Sequence, residues 1–241
     1  MSEAPAPATA EDAIAARVAA LPWARLAEEL DAQGVAPLGP LLTPEECAAL
    51  VALYAEESRF RSRVVMARHG FGRGEYRYFA NPLPPLVAAL RRALYAPLAP
   101  IASRWEETAY PPTLDAFAAR CHAAGQRRPT PLLLRYGPGD HNCLHQDLYG
   151  AVAFPLQAVV LLGAPGRDFT GGEFVLAEQR PRMQSRVEVV PLAQGEAAVF
   201  AVHRRPVRGT RGTYRVTMRH GVSRVRSGTR FTLGVIFHDA A

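Results

Sequence analysis

The chain has 241 residues, 49% of them hydrophobic and 21% charged, the composition of a globular protein able to bury one sizeable core. That apolar fraction, the lack of a triplet repeat and 21 prolines scattered along the chain exclude a wholly disordered protein, a collagen and a coiled coil. The net charge is +6, and all 28 basic residues are Arg. Cys47, Cys121 and Cys143 are odd in number and widely spaced, which excludes a disulfide framework and a CxxC zinc site. No apolar run reaches the roughly 18 residues of a membrane span, and the N-terminus lacks the basic and apolar regions of a secretion signal, so the expected location is cytoplasmic.

Residues 1–10, rich in Ala and Pro without apolar periodicity, read as a disordered tail. Residues 11–130 read as the mainly helical N-terminal part of the same domain. A first helical pattern runs from Glu11 to about Gln33, is broken by Pro22 and closes at Gly34. Thr43-Pro44-Glu45-Glu46 sets a cap, a first-turn proline and first-turn acids for a helix through about Glu57. From Arg59 to Asn81 the Arg-, Gly- and aromatic-rich chain has no clean period, which predicts a long loop or an irregular strand pair. Helical patterns resume over Pro85 to Trp105 and Leu114 to Ala123.

Residues 131–241 change character. Seven apolar or alternating runs, punctuated by Gly and Pro, span 132–136, 156–162, 173–177, 186–190, 197–202, 213–222 and 230–237. Runs so spaced suit an α+β protein with a double-stranded β-helix, or jelly-roll, core and N-terminal helices packed on one sheet.

Within this half, His145-Gln146-Asp147 places an imidazole and a carboxylate on one face of extended backbone. In the alternating run Tyr214 to Val222, His220 shares the inward face with Val216 and Met218. An inward histidine is either a hydrogen-bonded core residue or a ligand. The next run bears on that choice, because Arg230 and Thr232 share one face and Phe231, Leu233, Val235 and Phe237 the other. An inward guanidinium requires an anion, since burying it alone costs several kcal/mol. A small dicarboxylate gripped by the planar fork would supply one. Two His and one carboxylate leave three positions of an octahedral ion open, a set suited to non-heme Fe(II) binding a chelating acid and dioxygen. His203 is a competing third ligand, but no Arg follows it at a similar interval on an alternating run. His69, His122, His141 and His238 read as surface or hydrogen-bonded residues, and Cys143 is expected to turn away from the metal.

Charge is uneven. Between Glu196 and Asp239 there is no acidic residue, while Arg204, Arg205, Arg208, Arg211, Arg215, Arg219, Arg224, Arg226 and Arg230 fall there. This 204–230 stretch is either a surface for DNA, RNA or another polyanion or a solvated, solubilising face.

His145, Asp147, His220 and, ten residues on, Arg230 with Thr232 resemble the pattern of the Fe(II)/2-oxoglutarate-dependent dioxygenases, and Gly171-Gly172-Glu173-Phe174 resembles their turn between core strands. Within that superfamily, residues 74–79, 135–137, 142–150, 218–222 and 237–240 are similar to a bacterial group described as oxygenases for alkylated DNA, AlkB-like in role. The resemblance implies Fe(II) held by His145, Asp147 and His220, and dioxygen and 2-oxoglutarate as co-substrates. It gives the distal carboxylate of 2-oxoglutarate to Arg230 and Thr232. It further implies oxidative demethylation of a base, with succinate, carbon dioxide and formaldehyde released. Tyr76, Tyr78 and Tyr149 are candidate stacking partners for the base or else packing residues, and Tyr136 either joins them or reaches 2-oxoglutarate. A prolyl-type protein hydroxylase and a non-catalytic metal-binding jelly roll are the alternatives.

Overall fold

The computed structural model describes residues 9–210 and 212–241. Thr9 and Asp12 exchange side-chain and backbone hydrogen bonds, a reciprocal cap that starts α1 (Ala10–Ala19). The end of the expected tail is therefore ordered; its first eight residues lie outside the described ones. Pro22 precedes α2 (Trp23–Gln33), which Gly34 ends in the left-handed region at φ 76°. After β1 (Val35–Pro40), the Thr43 cap and Pro44 open α3 (Pro44–Ala52), which stops short of Glu57 and continues as two tight 3-10 turns. The aromatic stretch forms β2 (Phe60–Val65), β3 (Gly72–Arg73) and β4 (Glu75–Phe79), with β2 antiparallel to β4. Two helices follow, α4 (Pro85–Glu106) and α5 (Leu114–Ala123).

The remainder is strand: β5 (Leu132–Tyr136), β6 (His141–His145), β7 (Leu156–Leu161), β8 (Phe169–Gly171), β9 (Phe174–Gln179), β10 (Arg186–Val190), β11 (Glu196–Ala201), β12 (Arg204–Gly209), β13 (Gly212–Val222), β14 (Val225–Gly228) and β15 (Arg230–Val235). All seven expected runs are present, but β6, β8, β12 and β14 are additional. A seven-stranded sheet has the order β1-β11-β7-β15-β5-β4-β2, so strands from before residue 131 extend it on both edges. The second sheet runs β10-β9-β13-β6-β3, with β12 on the first half of β13, and β8 pairs β14 in a small ribbon.

Alternation divides the labour of the large sheet. Leu133, Leu233 and Val235 face the helices, sharing a core with Leu90, Leu94 and Leu98 of α4. Tyr95 of α4 lies 5.1 Å from Phe154 and 5.5 Å from Phe117, centroid to centroid. Burying each such side chain is worth about 1.5–3 kcal/mol, which pins the helical layer to the outer face. The opposite face of β15 and β5 carries Arg230, Thr232, Tyr136, Leu132 and Leu134, which line a cavity between the sheets.

Across that cavity β13 pairs antiparallel with β6, placing His220 opposite His145. The register shifts between His220 and Val222, and the strands close tightly there: a Cβ on Gly221 would stand 2.7 Å from the Asn142 carbonyl oxygen. Gly221→Ala is expected to cost about 1–3 kcal/mol by forcing β6 away from β13. An unchanged urea midpoint would show that the two strands yield freely.

Candidate metal centre

His145 is the last residue of β6, and the chain then leaves the sheet. Gln146 directs that departure. Its Nε2 donates to the carbonyls of His203 at 3.1 Å and Met218 at 2.8 Å, tying the turn to β13. Asp147 is thereby delivered, buried, beneath the two histidines. The expected shared strand face is thus replaced by a strand end plus a pinned turn, with the same convergence. The His145 and His220 rings lie 4.2 Å apart. Asp147 Oδ1 is 3.6 Å from His145 Nε2, and Oδ2 is 3.3 Å from His220 Nε2. One donor atom from each residue lies within 4.8 Å of the others.

Protonation follows from the partners. His145 Nδ1 faces the Cys143 carbonyl at 2.8 Å. A carbonyl only accepts, so that nitrogen donates, and Nε2 is the ring nitrogen turned toward Asp147 and His220. Burial would raise the Asp147 pKa, yet His220, with His145 and Tyr149, holds the carboxyl well below the usual range. Burial and the neighbouring His145 lower the His220 pKa. His220 is therefore presented as a neutral donor beside a carboxylate. His203 stays outside the cluster, and Cys143 is exposed.

The far wall is cationic. Arg230 is 2% exposed and donates Nη1 to Thr232, while its Nε has no partner. Among the described residues no carboxylate forms an ion pair with it, and burial pulls its pKa down to about 10 despite Tyr136 and Glu173. The Tyr136 ring lies 5.7 Å from the guanidinium carbon, and its fully buried hydroxyl is also unpartnered. The cavity between these walls measures about 180 Å³. Gln157 Oε1 is a third orphaned atom lining it. Leaving such a buried group unbonded costs about 1–3 kcal/mol, which a polar ligand would return. The donor set and the unpaired cation fit Fe(II) and a diacid.

Of the other tyrosines, Tyr76 and Tyr149 line the cavity, whereas Tyr78 does not. Tyr149 Oη donates to Asp147 Oδ1 at 2.5 Å and accepts from Tyr78 Oη at 3.0 Å. Sequence reading missed Gln146, Gln157 and Phe71. Gln157 had a signal, a lone amide in the apolar run Leu156–Leu161. Phe71, 48% exposed at the cavity rim, had none beyond its place in the aromatic stretch.

The Arg stretch does not form one face. Arg205 is buried against Glu178 at 3.0 Å, Arg215 pairs with Glu106 at 2.8 Å, and Arg230 lines the cavity. Arg204, Arg208, Arg219, Arg224 and Arg226 are exposed, and Arg211 lies outside the described residues.

A family model described as an oxygenase catalysing oxidative methylation of damaged DNA matches residues 74–240. The chain belongs to this oxygenase family. The oxygenase is 51% identical over 168 residues to the uncharacterized proteins Rv2227 and MT2286 of two Mycobacterium tuberculosis strains, covering 68% of this chain and 72% of theirs. Its fold is similar to that of a Pseudomonas putida prolyl-4-hydroxylase (TM-score 0.53, 15% identity, 91% of this chain and 100% of that one). It is likewise similar to a Burkholderia pseudomallei oxidoreductase of the 2OG-Fe(II) oxygenase family (TM-score 0.52, 19% identity, 91% and 92%). The oxygenase thus carries the fold of the Fe(II)/2-oxoglutarate enzymes together with a donor set suited to Fe(II), 2-oxoglutarate and dioxygen. Among the described residues no helix is long and apolar enough to cross a membrane.

Behind the centre, His238 is buried 5.8 Å from the Tyr149 ring, and burial pulls its pKa down to about 4. The neutral ring is favoured in the fold, so the unfolded chain takes the proton first on acidification. Its contribution is present above about pH 6.5 and is lost between there and about pH 4, a loss of roughly 3 kcal/mol. Urea midpoints across that range should fall in the natural chain and fall less in His238→Gln; equal slopes would contradict the assignment.

Proposed function

We propose that the oxygenase uses Fe(II) and 2-oxoglutarate to demethylate alkylated nucleic-acid bases, in the cytoplasm. The observation that carries the reading is the pairing of a convergent His145–Asp147–His220 cluster with a buried Arg230 that, among the described residues, forms no ion pair with a carboxylate. His145 Nε2, Asp147 and His220 would hold the metal. With 2-oxoglutarate and dioxygen, the bound metal supplies oxidation of a C–H bond, with succinate and carbon dioxide as co-products. Arg230 and Thr232 hold the distal carboxylate of the diacid through charge-assisted hydrogen bonds, and the Tyr136 hydroxyl lies on the same wall.

The substrate class rests on the family's description and on chemistry at the rim. A base must leave its stack to reach so enclosed a centre. Tyr76 and Phe71 offer aromatic faces along the route, and Tyr149 presents its ring there while its hydroxyl is engaged with Asp147. Exposed arginines, Arg219 and Arg224 among them, supply charge for phosphates. A hydroxylated N-methyl group then leaves as formaldehyde, and the ring nitrogen recovers a proton.

Fe(II)-dependent succinate production is expected in the natural chain and is expected to vanish in His145→Ala and Asp147→Ala. Arg230→Met should raise the KM for 2-oxoglutarate about 100-fold, the loss of a buried charge-assisted pair worth roughly 3 kcal/mol. Formaldehyde release from a methylated oligonucleotide tests the substrate. Peptide hydroxylation without formaldehyde would replace this reading with a protein hydroxylase, and no succinate under any condition would leave a metal-binding jelly roll without turnover.

A further inference from the structure

Tyr149 was a candidate for touching substrate, but its hydroxyl points elsewhere. We infer that Tyr149 is a positioning residue for the metal: backed by Tyr78, it fixes one oxygen of Asp147 so that the carboxylate offers the other to the ion. The inference rests on the metal-binding reading of the His145–Asp147–His220 cluster, though not on any substrate.

The hydrogen bonds give the relay a direction. Tyr149 Oη donates to Asp147 Oδ1 at 2.5 Å, an oxygen of the group that would hold the metal. That leaves the Tyr149 oxygen free to accept, and Tyr78 Oη donates to it at 3.0 Å. Tyr78 is itself held in place, 8% exposed with the Arg61 guanidinium 4.5 Å above its ring. Two hydroxyls in series thus commit Oδ1 before any metal arrives, and each bond polarises the next. Oδ2 instead faces the cluster, 3.3 Å from His220 Nε2.

This matters because a free carboxylate can swing and give both oxygens to one ion, occupying two positions. Tethering Oδ1 favours single-oxygen ligation and keeps open the positions that a chelating acid and dioxygen require. Hydrogen bonds from outside the ligand set commonly alter metal affinity by 10–100-fold. Neither tyrosine is needed to bring Asp147 into place, since Gln146 pins the turn from the other side. Positioning and folding are thus separable.

The test uses Co(II) as the probe with the full chain, reading equilibrium affinity and the visible bands that report coordination number. Tyr149→Phe should keep its melting temperature within a few degrees, weaken Co(II) about 10–100-fold and change the band pattern toward a different coordination number. Tyr78→Phe should weaken Co(II) severalfold. The double variant should be no weaker than Tyr149→Phe alone, because Tyr78 acts only through Tyr149. Unchanged affinity and spectrum in Tyr149→Phe, or additive losses in the double variant, would overturn the relay. If Tyr149→Phe fails to fold, Tyr78→Phe decides alone, with unchanged affinity counting against it. If the natural chain binds no Co(II), the metal reading itself fails. A lack of formaldehyde with these affinities intact would touch only the substrate proposal.

Discussion

The pairing of β13 with β6, His220 opposite His145, is the contact on which the rest of the centre depends. Side chains alternate along a strand, so a slip of one residue would turn His220 to solvent and bring Arg219 inward. Three features hold the register. Gly221 lets the two backbones meet without a Cβ between them. Gln146 fastens the turn after β6 to the carbonyls of His203 and of Met218 on β13. On its other edge β13 runs antiparallel to β9 over six residue pairs, Thr217 opposite Gln179 through Val222 opposite Phe174. The strand that carries His220 is therefore embraced on both sides, whereas the strand that carries His145 ends at that residue.

Buried arginines show how the fold treats charge. Arg205 meets Glu178, and Arg91 meets Asp239 at 2.7 Å while also donating to the carbonyls of Ile236 and Phe237. Those cations are matched within the protein and belong to packing. Arg230, equally buried, has a hydroxyl and two aromatic rings for company. An unmatched buried cation destabilises a fold by several kcal/mol, so its presence marks a position shaped for a ligand rather than for stability. The same contrast explains why counting arginines along the chain misleads. The linear block of positive charge contains two residues neutralised across the fold, by Glu178 and Glu106, that no sequence window would pair with them.

What the sequence disclosed follows from which residues obey a period. β13 and β15 alternate cleanly, so the inward faces of His220, Arg230 and Thr232 were legible, as were α1 to α5, which carry caps or apolar periodicity. β6 was not. Its residues, His141-Asn142-Cys143-Leu144-His145, have neither alternation nor an apolar run, and it becomes a strand because β13 and β3 pair with it. The convergence of His145 with Asp147 was anticipated from extended backbone, whereas the structure achieves it with a strand end and an amide clamp. Partners distant in sequence decide such local geometry, and pattern reading does not see them. The aromatic stretch before residue 81 was open between loop and strand pair for the same reason.

That stretch gains its meaning from the tyrosines. β4 belongs to the seven-stranded sheet, and its Tyr78 donates to Tyr149, in the segment after β6, which in turn donates to Asp147. Tyr76 and Tyr78 meet edge to face at 5.4 Å, so the ring that lines the cavity also packs on the ring that backs the ligand. A molecule pressing on Tyr76 thus bears on Tyr78, whose hydroxyl is one bond removed from the residue that holds the carboxylate. The ring that lines the cavity and the hydroxyls that reach Asp147 are packed as one unit, which ties the irregular strand β4 to the His145–Asp147–His220 cluster as well as to the sheet that covers it.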